Sequence, residues 1–218
     1  MRALPLSSRR AMLLICLTAL PLLVGSSCAF FFSSGGGSSD SKDKQSDSKE
    51  IIVVSNGQFG DPAIAGVNYE SGSLSGVTGQ NGEFQYESDK TVHFSVGDIS
   101  LGQPAIARAI MTPQDLVAKS GFERTAEVNI LRLLQSLDSK PGDGVITIPD
   151  DVRRAAVRSN EAVFAAIEYL DFSNEAAFVN AAGHLIAVLT ADYPFTAMLV
   201  DADRVVKTPA RSVDREPQ

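Results

Sequence analysis

The sequence predicts an α+β fold: a small antiparallel, sandwich-like β-module followed by a helical subdomain, behind a signal peptide and a disordered tether. Between residues 65 and 102, apolar and polar residues alternate in three short runs separated by turn-forming residues. Between residues 125 and 137, apolar residues recur every three to four positions. Alternation is typical of half-buried strands, and the longer period is typical of amphipathic helices.

Five segments follow from these patterns and from composition. They are residues 1–27 (signal peptide), 28–50 (lipidated cysteine and Gly/Ser-rich tether), 51–104 (β-module), 105–200 (helical subdomain) and 201–218 (disordered tail). Because a core of about 60 residues or fewer is only marginally stable, we expect the β-module to pack against the helices that follow it.

Residues 1–27 have the layout of an export signal. Three arginines and no acidic residue precede an apolar run at 11–24, and three small residues follow it. The run is shorter than the roughly 20 residues that a membrane-spanning helix needs, and Pro21 interrupts it. A retained anchor, and a twin-arginine signal around Arg9-Arg10, are the alternatives.

Cys28 directly follows the small residues, and this arrangement resembles the bacterial lipobox. We therefore predict cleavage between Ser27 and Cys28 and attachment of lipid, including palmitate, at Cys28. Gly25 stands where lipoboxes usually carry leucine, so ordinary signal cleavage near Ser27 or Ala29 is the alternative. Since Cys16 lies in the segment to be removed, the mature chain would hold Cys28 alone and no internal disulfide.

The segment between Cys28 and residue 51 has the composition of a tether. After Phe30-Phe31-Phe32 it contains only Gly, Ser, Asp, Lys, Gln and Glu. Such a segment buries too little apolar surface to fold, and as a flexible coil it would span roughly 25 Å. This length would hold a folded body clear of lipid headgroups.

The net charge limits the partners. The full chain carries −7, and removal of the three arginines of residues 1–27 leaves −10. An acidic chain without a basic cluster is unsuited to nucleic acid and is not attracted to anionic lipid.

The β-module is predicted from short strands and sharp turns. We expect a strand at 51–54, turns at 55–57 and 60–62, a strand at 63–69, a hairpin turn at Asn81-Gly82 and a last strand at 99–101. The aromatic residues expected to form its core are Phe59, Tyr69, Phe84, Tyr86 and Phe94.

The second half is predicted to be helical. Thr112-Pro113, with Asp115, is a capping pattern that starts a short helix at 113–119. Further helices are predicted at 125–137, 149–158, 161–169 and 174–190, the last two capped by Ser159-Asn160 and by Ser173.

Four acidic residues are candidate ligands for Ca²⁺: Asp138, Asp143, Asp150 and Asp151. Their spacing does not fit an EF-hand, and Lys140 lies among them. A solvated loop followed by helix-starting acids is the favoured interpretation.

The sequence contains no recognisable catalytic constellation. His93 is expected on the solvent side of a strand and His184 within a helix, and two isolated histidines without a cysteine partner do not predict zinc. No G-x-S-x-G motif occurs. We therefore predict a protein that is not an enzyme and needs no metal or cofactor.

Residues 64–158 resemble a family of exported bacterial lipoproteins and adhesin-like surface proteins. This family opens with a transthyretin-like (carboxypeptidase-regulatory-like) β-module followed by helices. The segments that carry the resemblance are 66–69 (GVNY), 76–86 (GVTGQNGEFQY), 92–102 (VHFSVGDISLG), 111–116 (MTPQDL), 129–138 (NILRLLQSLD) and 146–149 (ITIP). The resemblance implies an envelope or surface location and does not imply an enzyme.

The function predicted from the sequence is that of a non-catalytic envelope lipoprotein acting as a binding or adhesion-like module. Lipid on Cys28 would hold it to the membrane, and its ligand would be a protein or a glycan. Ala29 after the cysteine suggests the outer membrane of a Gram-negative bacterium. The alternatives are an accessory or weakly hydrolytic domain acting on cell-wall or glycan material, and a structural subunit of an envelope complex.

Overall fold

A computed structural model describes residues 52–119 and 121–205. All of them belong to one compact unit, Lys49–Gln218. The predicted signal peptide and tether, and residues 206–218, lie outside the described residues. No helix in the described ranges is long and apolar enough to cross a membrane.

The described residues form a mixed α+β fold. The strands are β1 (Val54–Phe59), β2 (Ile64–Ala65), β3 (Asn68–Ser71), β4 (Leu74–Val77), β5 (Glu83–Glu87), β6 (Thr91–Val96), β7 (Ile99–Ser100), β8 (Ala105–Ile106), β9 (Ile110–Met111) and β10 (Ile146–Thr147). The helices are a 3₁₀ helix (Pro113–Leu116), α1 (Glu123–Ser136), α2 (Asp150–Ala155), α3 (Glu161–Tyr169) and α4 (Glu175–Leu189).

The strands are arranged in small sheets. One sheet has the order β5-β1-β9, with β1 antiparallel to β5 and parallel to β9. A second, antiparallel sheet has the order β4-β3-β6-β7, with β8 also on β6. β2 and β10 form a parallel pair. Strands β8, β9 and β10 lie in the segment predicted to be helical, so that part of the chain also completes the sheets.

β1 corrects the predicted start of the module. We expected a strand at 51–54 followed by a turn at 55–57, but β1 runs through those turn residues, with Asn56 opposite Gln85 and Gly57 opposite Phe84. A Cβ at Gly57 would lie 2.6 Å from the Phe84 ring. The glycine therefore allows close packing by an aromatic ring and does not mark a turn.

The Asn81-Gly82 segment is a turn, as predicted, but not a hairpin. Gly82 N–H donates to the Gly79 carbonyl oxygen at 3.0 Å, and Gly82 has φ +75°. The flanking strands β4 and β5 belong to different sheets. The turn carries the chain between sheets because β4 is already paired with β3 through the tight Gly72-Ser73 connection.

The predicted aromatic core is confirmed. Phe59 and Phe94 come from different sheets and stack with ring centroids 4.0 Å apart. Phe84 meets Phe94 edge-on at 5.2 Å and Tyr69 at 5.9 Å. Tyr86 is only partly buried, against Phe84. The Phe59–Phe94 contact joins the two sheets through one core. The sandwich-like arrangement of the module stays a prediction.

α1 is the helix that links the sheets to the rest of the chain. The predicted helix at 125–137 is confirmed, and the observed helix begins two residues earlier, at Glu123. Its apolar stripe is fully buried at Ile130, Leu133 and Leu134, and Leu137 follows at the C-cap. These side chains belong to the same hydrophobic cluster as the aromatic core. The expected packing of sheet against helices is therefore present.

Two predicted helices are shorter than expected because loop residues bind their last carbonyl groups. The helix predicted at 113–119 is a 3₁₀ helix that ends at Leu116, whose carbonyl oxygen accepts from Gln103 N–H at 2.7 Å. The helix predicted at 149–158 ends at Ala155. There the Ala156 carbonyl oxygen accepts from Asp98 N–H at 2.7 Å, which removes it from a helical hydrogen bond.

Candidate functional site

The predicted lipid attachment residue, Cys28, and the cleavage position after Ser27 lie outside the described residues. We consider the acidic loop, the histidines, a groove between two helices and a polar cluster on α1.

The acidic loop after α1 uses its carboxylates on its own backbone. Asp138 is buried, and its Oδ1 accepts from Lys140 N–H and Thr147 N–H, both at 3.0 Å. Asp143 Oδ1 accepts from Val145 N–H at 2.9 Å. The prediction of a solvated loop is therefore wrong for Asp138, which fixes the loop against β10.

The other two acids of the Ca²⁺ hypothesis belong to the start of α2. Asp150 pairs with Arg153 at 2.8 Å and Arg154 at 3.0 Å. Asp151 Oδ1 accepts from Val152 N–H at 3.0 Å. Across residues 52–119 and 121–205, no three His, Cys, Asp or Glu side chains come together in a way that could hold a metal ion.

His93 pairs with a serine on the outer side of the second sheet. His93 Nε2 lies 2.7 Å from Ser100 Oγ, and Ser100 Oγ lies 2.8 Å from the Gly102 carbonyl oxygen. The serine hydroxyl has a single proton, which it can direct either to the Gly102 carbonyl oxygen or to the imidazole.

α3 and α4 pack side by side and are both capped by asparagine. Asn160 accepts from Ala162 N–H at 3.1 Å, and Asn174 accepts from Ala176 and Ala177 N–H at 3.1 and 3.2 Å. The predicted cap at Asn160 is confirmed. The cap predicted at Ser173 is wrong, because the Ser173 hydroxyl donates to Asp171 instead, at 2.6 Å.

A groove of about 540 Å³ runs between these two helices. Small side chains form its floor and larger ones its rim. The residues that line it are Ala165, Ala166, Tyr169, Ala177, Asn180, Ala181 and His184. Its mostly apolar lining with a few polar groups is typical of ligand sites of this volume. The closely spaced alanines in both helices are the sequence signal that could have indicated it.

The rim of the groove presents polar groups beside an exposed ring. Tyr169 is 75% exposed. His184 Nε2 donates to the Ala162 carbonyl oxygen at 2.7 Å, so in the neutral imidazole Nδ1 is the acceptor. No Asp, Glu, Lys or Arg side chain lines the groove. The groove is therefore suited to a neutral ligand group or to an apolar side chain of a partner.

A polar cluster lies on α1, where sequence reasoning predicted only core. The Arg132 side chain is 7% exposed, and its Nη1 donates to Asn129 Oδ1 at 2.9 Å and to Glu175 Oε1 at 2.7 Å. Its guanidinium also lies 5.2 Å from the centre of the Phe178 ring. Arg132 and Ser136, one helical turn apart on the face of α1 opposite its apolar stripe, were the signal that could have indicated it.

The cluster holds the last described part of the chain, residues 194–205, which we call the strap. Arg132 Nε donates to the Val200 carbonyl oxygen at 2.7 Å, and Val200 N–H donates to Ser136 Oγ at 2.9 Å. Just before the strap, the Tyr193 hydroxyl donates to the Leu137 carbonyl oxygen at 2.6 Å, and burial raises the pKa of Tyr193. The predicted tail thus begins with an ordered turn at 201–205 in which Val205 is buried.

Two known proteins are similar to about half of this chain. Over 106 residues it is 29% identical to the "Putative lipoprotein AcfD homolog" of Escherichia coli strain K12. Over the same length it is 28% identical to the "Putative lipoprotein YghJ" of Escherichia coli O78:H11 strain H10407. Each match covers 47% of this chain and 7% of the relative, so the chain spans only a small part of the length of these proteins.

The other comparisons found nothing. No family model matches the chain, and no solved structure matches it. The names of the two relatives agree with the resemblance to exported lipoproteins, and they do not address the transthyretin-like module.

Proposed function

We propose that this chain is a lipoprotein of the bacterial cell envelope whose body acts as a non-catalytic binding module. The observation that carries the proposal is the similarity to two proteins named as lipoproteins, together with a lipobox-like Cys28 behind an export signal. Lipid on Cys28 anchors the chain, and Ala29 directs it to the outer membrane.

The binding role is supported by the groove between α3 and α4. Its floor of alanines admits a ligand close to the helix backbones, and its rim offers the Tyr169 ring and the Asn180 amide.

The anchor is tested by mass spectrometry of the membrane-extracted N-terminus and by labelling with palmitate. We expect a chain that begins at a lipid-modified Cys28 and fractionates with the outer membrane. In a Cys28→Ala variant the label and the membrane association should both be lost. An unmodified N-terminus at Ala29 or beyond would contradict the proposal.

The binding role is tested by blocking the groove with a large side chain. Ala165 lines the groove and is exposed, so Ala165→Arg should fill the groove without disturbing the core. Ala176→Arg is the matched control, since Ala176 is exposed on α4 outside the groove lining. We expect envelope proteins or glycans retained by the wild type to be lost only with Ala165→Arg. Equal retention by both variants would show that the groove is not the binding site.

A further inference from the structure

The strap is held by α1 through its backbone. Arg132 donates to the carbonyl oxygen of Val200, and Ser136 accepts from the N–H of the same residue. We call Arg132 and Ser136 the clamp. Because the clamp contacts the two main-chain polar groups of one residue, it does not depend on the side chain at that position. Main-chain hydrogen bonds of this kind give affinity when proteins bind extended peptides.

The clamp is ordered by contacts that do not involve the strap. Arg132 is fixed by Asn129 and Glu175 and packs over the Phe178 ring. Ser136 Oγ donates to the Arg132 carbonyl oxygen at 2.6 Å. These bonds remain when the strap leaves, so the site is pre-organised for an incoming backbone. Pre-organisation lowers the cost of ordering groups on binding.

The strap packs against the core through the partly buried Ala197 and Leu199 and the buried Val205, and most of its other side chains are exposed. It contains no helix or strand, and Met198 is 76% exposed. A cleft of about 730 Å³ lies between the first turns of α1 and the end of the strap at Ala202, Asp203 and Val205. Segments with few buried apolar contacts open at low free energy. The strap can therefore leave the clamp without unfolding of the core.

We propose that the clamp on α1 is a binding site for an extended polypeptide segment, and that the strap occupies it in cis as an exchangeable cover. The partner segment presents small or aliphatic side chains at alternate positions, as Ala197 and Leu199 of the strap do where they pack against the core. This inference adds a second binding site, distinct from the α3–α4 groove, to the body proposed above as a binding module. It does not depend on the lipid anchor or on the groove.

The test uses a fluorescent peptide with the sequence of residues 194–205 and the full chain, purified in mild detergent. In the wild type the covalently attached strap competes at an effective concentration in the millimolar range, so the added peptide binds weakly. Val200→Pro removes the N–H group that donates a hydrogen bond to Ser136 Oγ, and this loosens the strap. We expect the peptide to bind the Val200→Pro chain at least tenfold more tightly than the wild type.

Two matched controls locate the binding. Met198→Pro changes an exposed strap residue whose N–H makes no hydrogen bond in the described part of the chain, and it should bind the peptide as the wild type does. Ser136→Ala in the Val200→Pro chain removes the acceptor for the peptide, and binding should weaken about five- to tenfold. These two results would place the peptide on the clamp.

Several results would overturn the proposal. They are equal binding, or no binding, by the wild type and Val200→Pro chains, and unaltered binding after Ser136→Ala. Circular dichroism and the unfolding midpoint of Val200→Pro provide a second measurement. Loss of helical signal in that variant would mean that the strap is an integral part of the fold and not an exchangeable cover. None of these outcomes bears on lipidation at Cys28, so the proposed anchor is tested separately.

Discussion

The two faces of α1 are held by different kinds of contact. One face presents Ile130, Leu133 and Leu134, which are fully buried in the hydrophobic cluster shared with the sheets. The other face presents Arg132 and Ser136, which hold the strap by a few hydrogen bonds to its backbone. Burial of several large apolar side chains contributes more free energy than the two hydrogen bonds that hold the strap.

This difference indicates that the body does not have uniform stability. The core face and the sheets should unfold together, whereas the strap should open locally at lower free energy. Four substitutions test this expectation, in order of decreasing expected loss of stability.

Leu134→Ala should cause the largest loss. Leu134 is fully buried at the centre of the core face, and large-to-small changes at such positions cost about 2–5 kcal/mol. Chemical denaturation of the wild type and the variant measures the difference. Met198→Ala, at an exposed strap position, is the control and should leave the midpoint unchanged. An unchanged midpoint for Leu134→Ala would mean that α1 does not pack as described.

Thr78→Val tests a polar contact inside the core. The buried Thr78 hydroxyl donates to the Ile64 carbonyl oxygen at 2.8 Å and accepts from Val67 N–H at 2.9 Å. Valine has nearly the same shape but leaves the Val67 N–H without its partner, which costs about 1–3 kcal/mol. Thr91→Val, at an exposed strand position, is the control for β-branched valine in a strand. Equal midpoints for the two variants would contradict the expected cost of the unpaired group.

Glu87→Gln tests a carboxylate that joins the two sheets. Glu87 on β5 accepts from the Ser73 hydroxyl at 2.6 Å and from Ser73 N–H at 2.5 Å, in the turn between β3 and β4. These hydrogen bonds, the hydroxyl first, lower the pKa of Glu87. Its stabilising contribution is therefore complete above the ordinary glutamate pKa of about 4.3 and is lost as the pH falls through that value towards the lowered pKa.

The measurement is the unfolding midpoint at pH 7 and again at pH 3. Glu87→Gln should lower the midpoint at pH 7 less than Thr78→Val does, because glutamine keeps one acceptor oxygen for Ser73. At pH 3 the variant and the wild type should approach each other. Glu70→Gln, on an exposed position of β3, serves as the control. A difference between wild type and Glu87→Gln that does not shrink on acidification would refute this role.

The parts of the fold that were predictable from the sequence are those set by regular periodicity. α1 follows from apolar spacing, and the aromatic core follows from alternation. The turn predicted at Gly57 was wrong because a glycine is compatible both with a turn and with a strand against which a ring packs closely. The sequence alone does not show that the Phe84 ring lies opposite Gly57. The ends of the 3₁₀ helix and α2 depend on backbone donors from Gln103 and Asp98, which lie far away in sequence.

The candidate sites were less predictable for the same reason. Arg132 is an ordinary helix residue by propensity, and its role depends on Val200, which lies 68 positions later in the chain. The α3–α4 groove depends on how closely two alanine-bearing helices approach, which spacing alone does not determine. Non-local contacts of single polar groups leave little periodic signal in a sequence.

Tyr193→Phe should have the smallest effect on global stability of the four substitutions. Its main effect should be confined to the strap. The Tyr193 hydroxyl donates to the Leu137 carbonyl oxygen at 2.6 Å at the point where the chain turns into the strap. Loss of this partly buried hydrogen bond should lower the global free energy of unfolding by about 0.5–1.5 kcal/mol. Hydrogen exchange should be faster in residues 194–205 and unchanged in α1. Tyr169→Phe, at a 75% exposed position, should change neither quantity. If exchange in α1 rises together with exchange in the strap, the two faces of the helix unfold as one unit, and the strap cannot act as a separate cover.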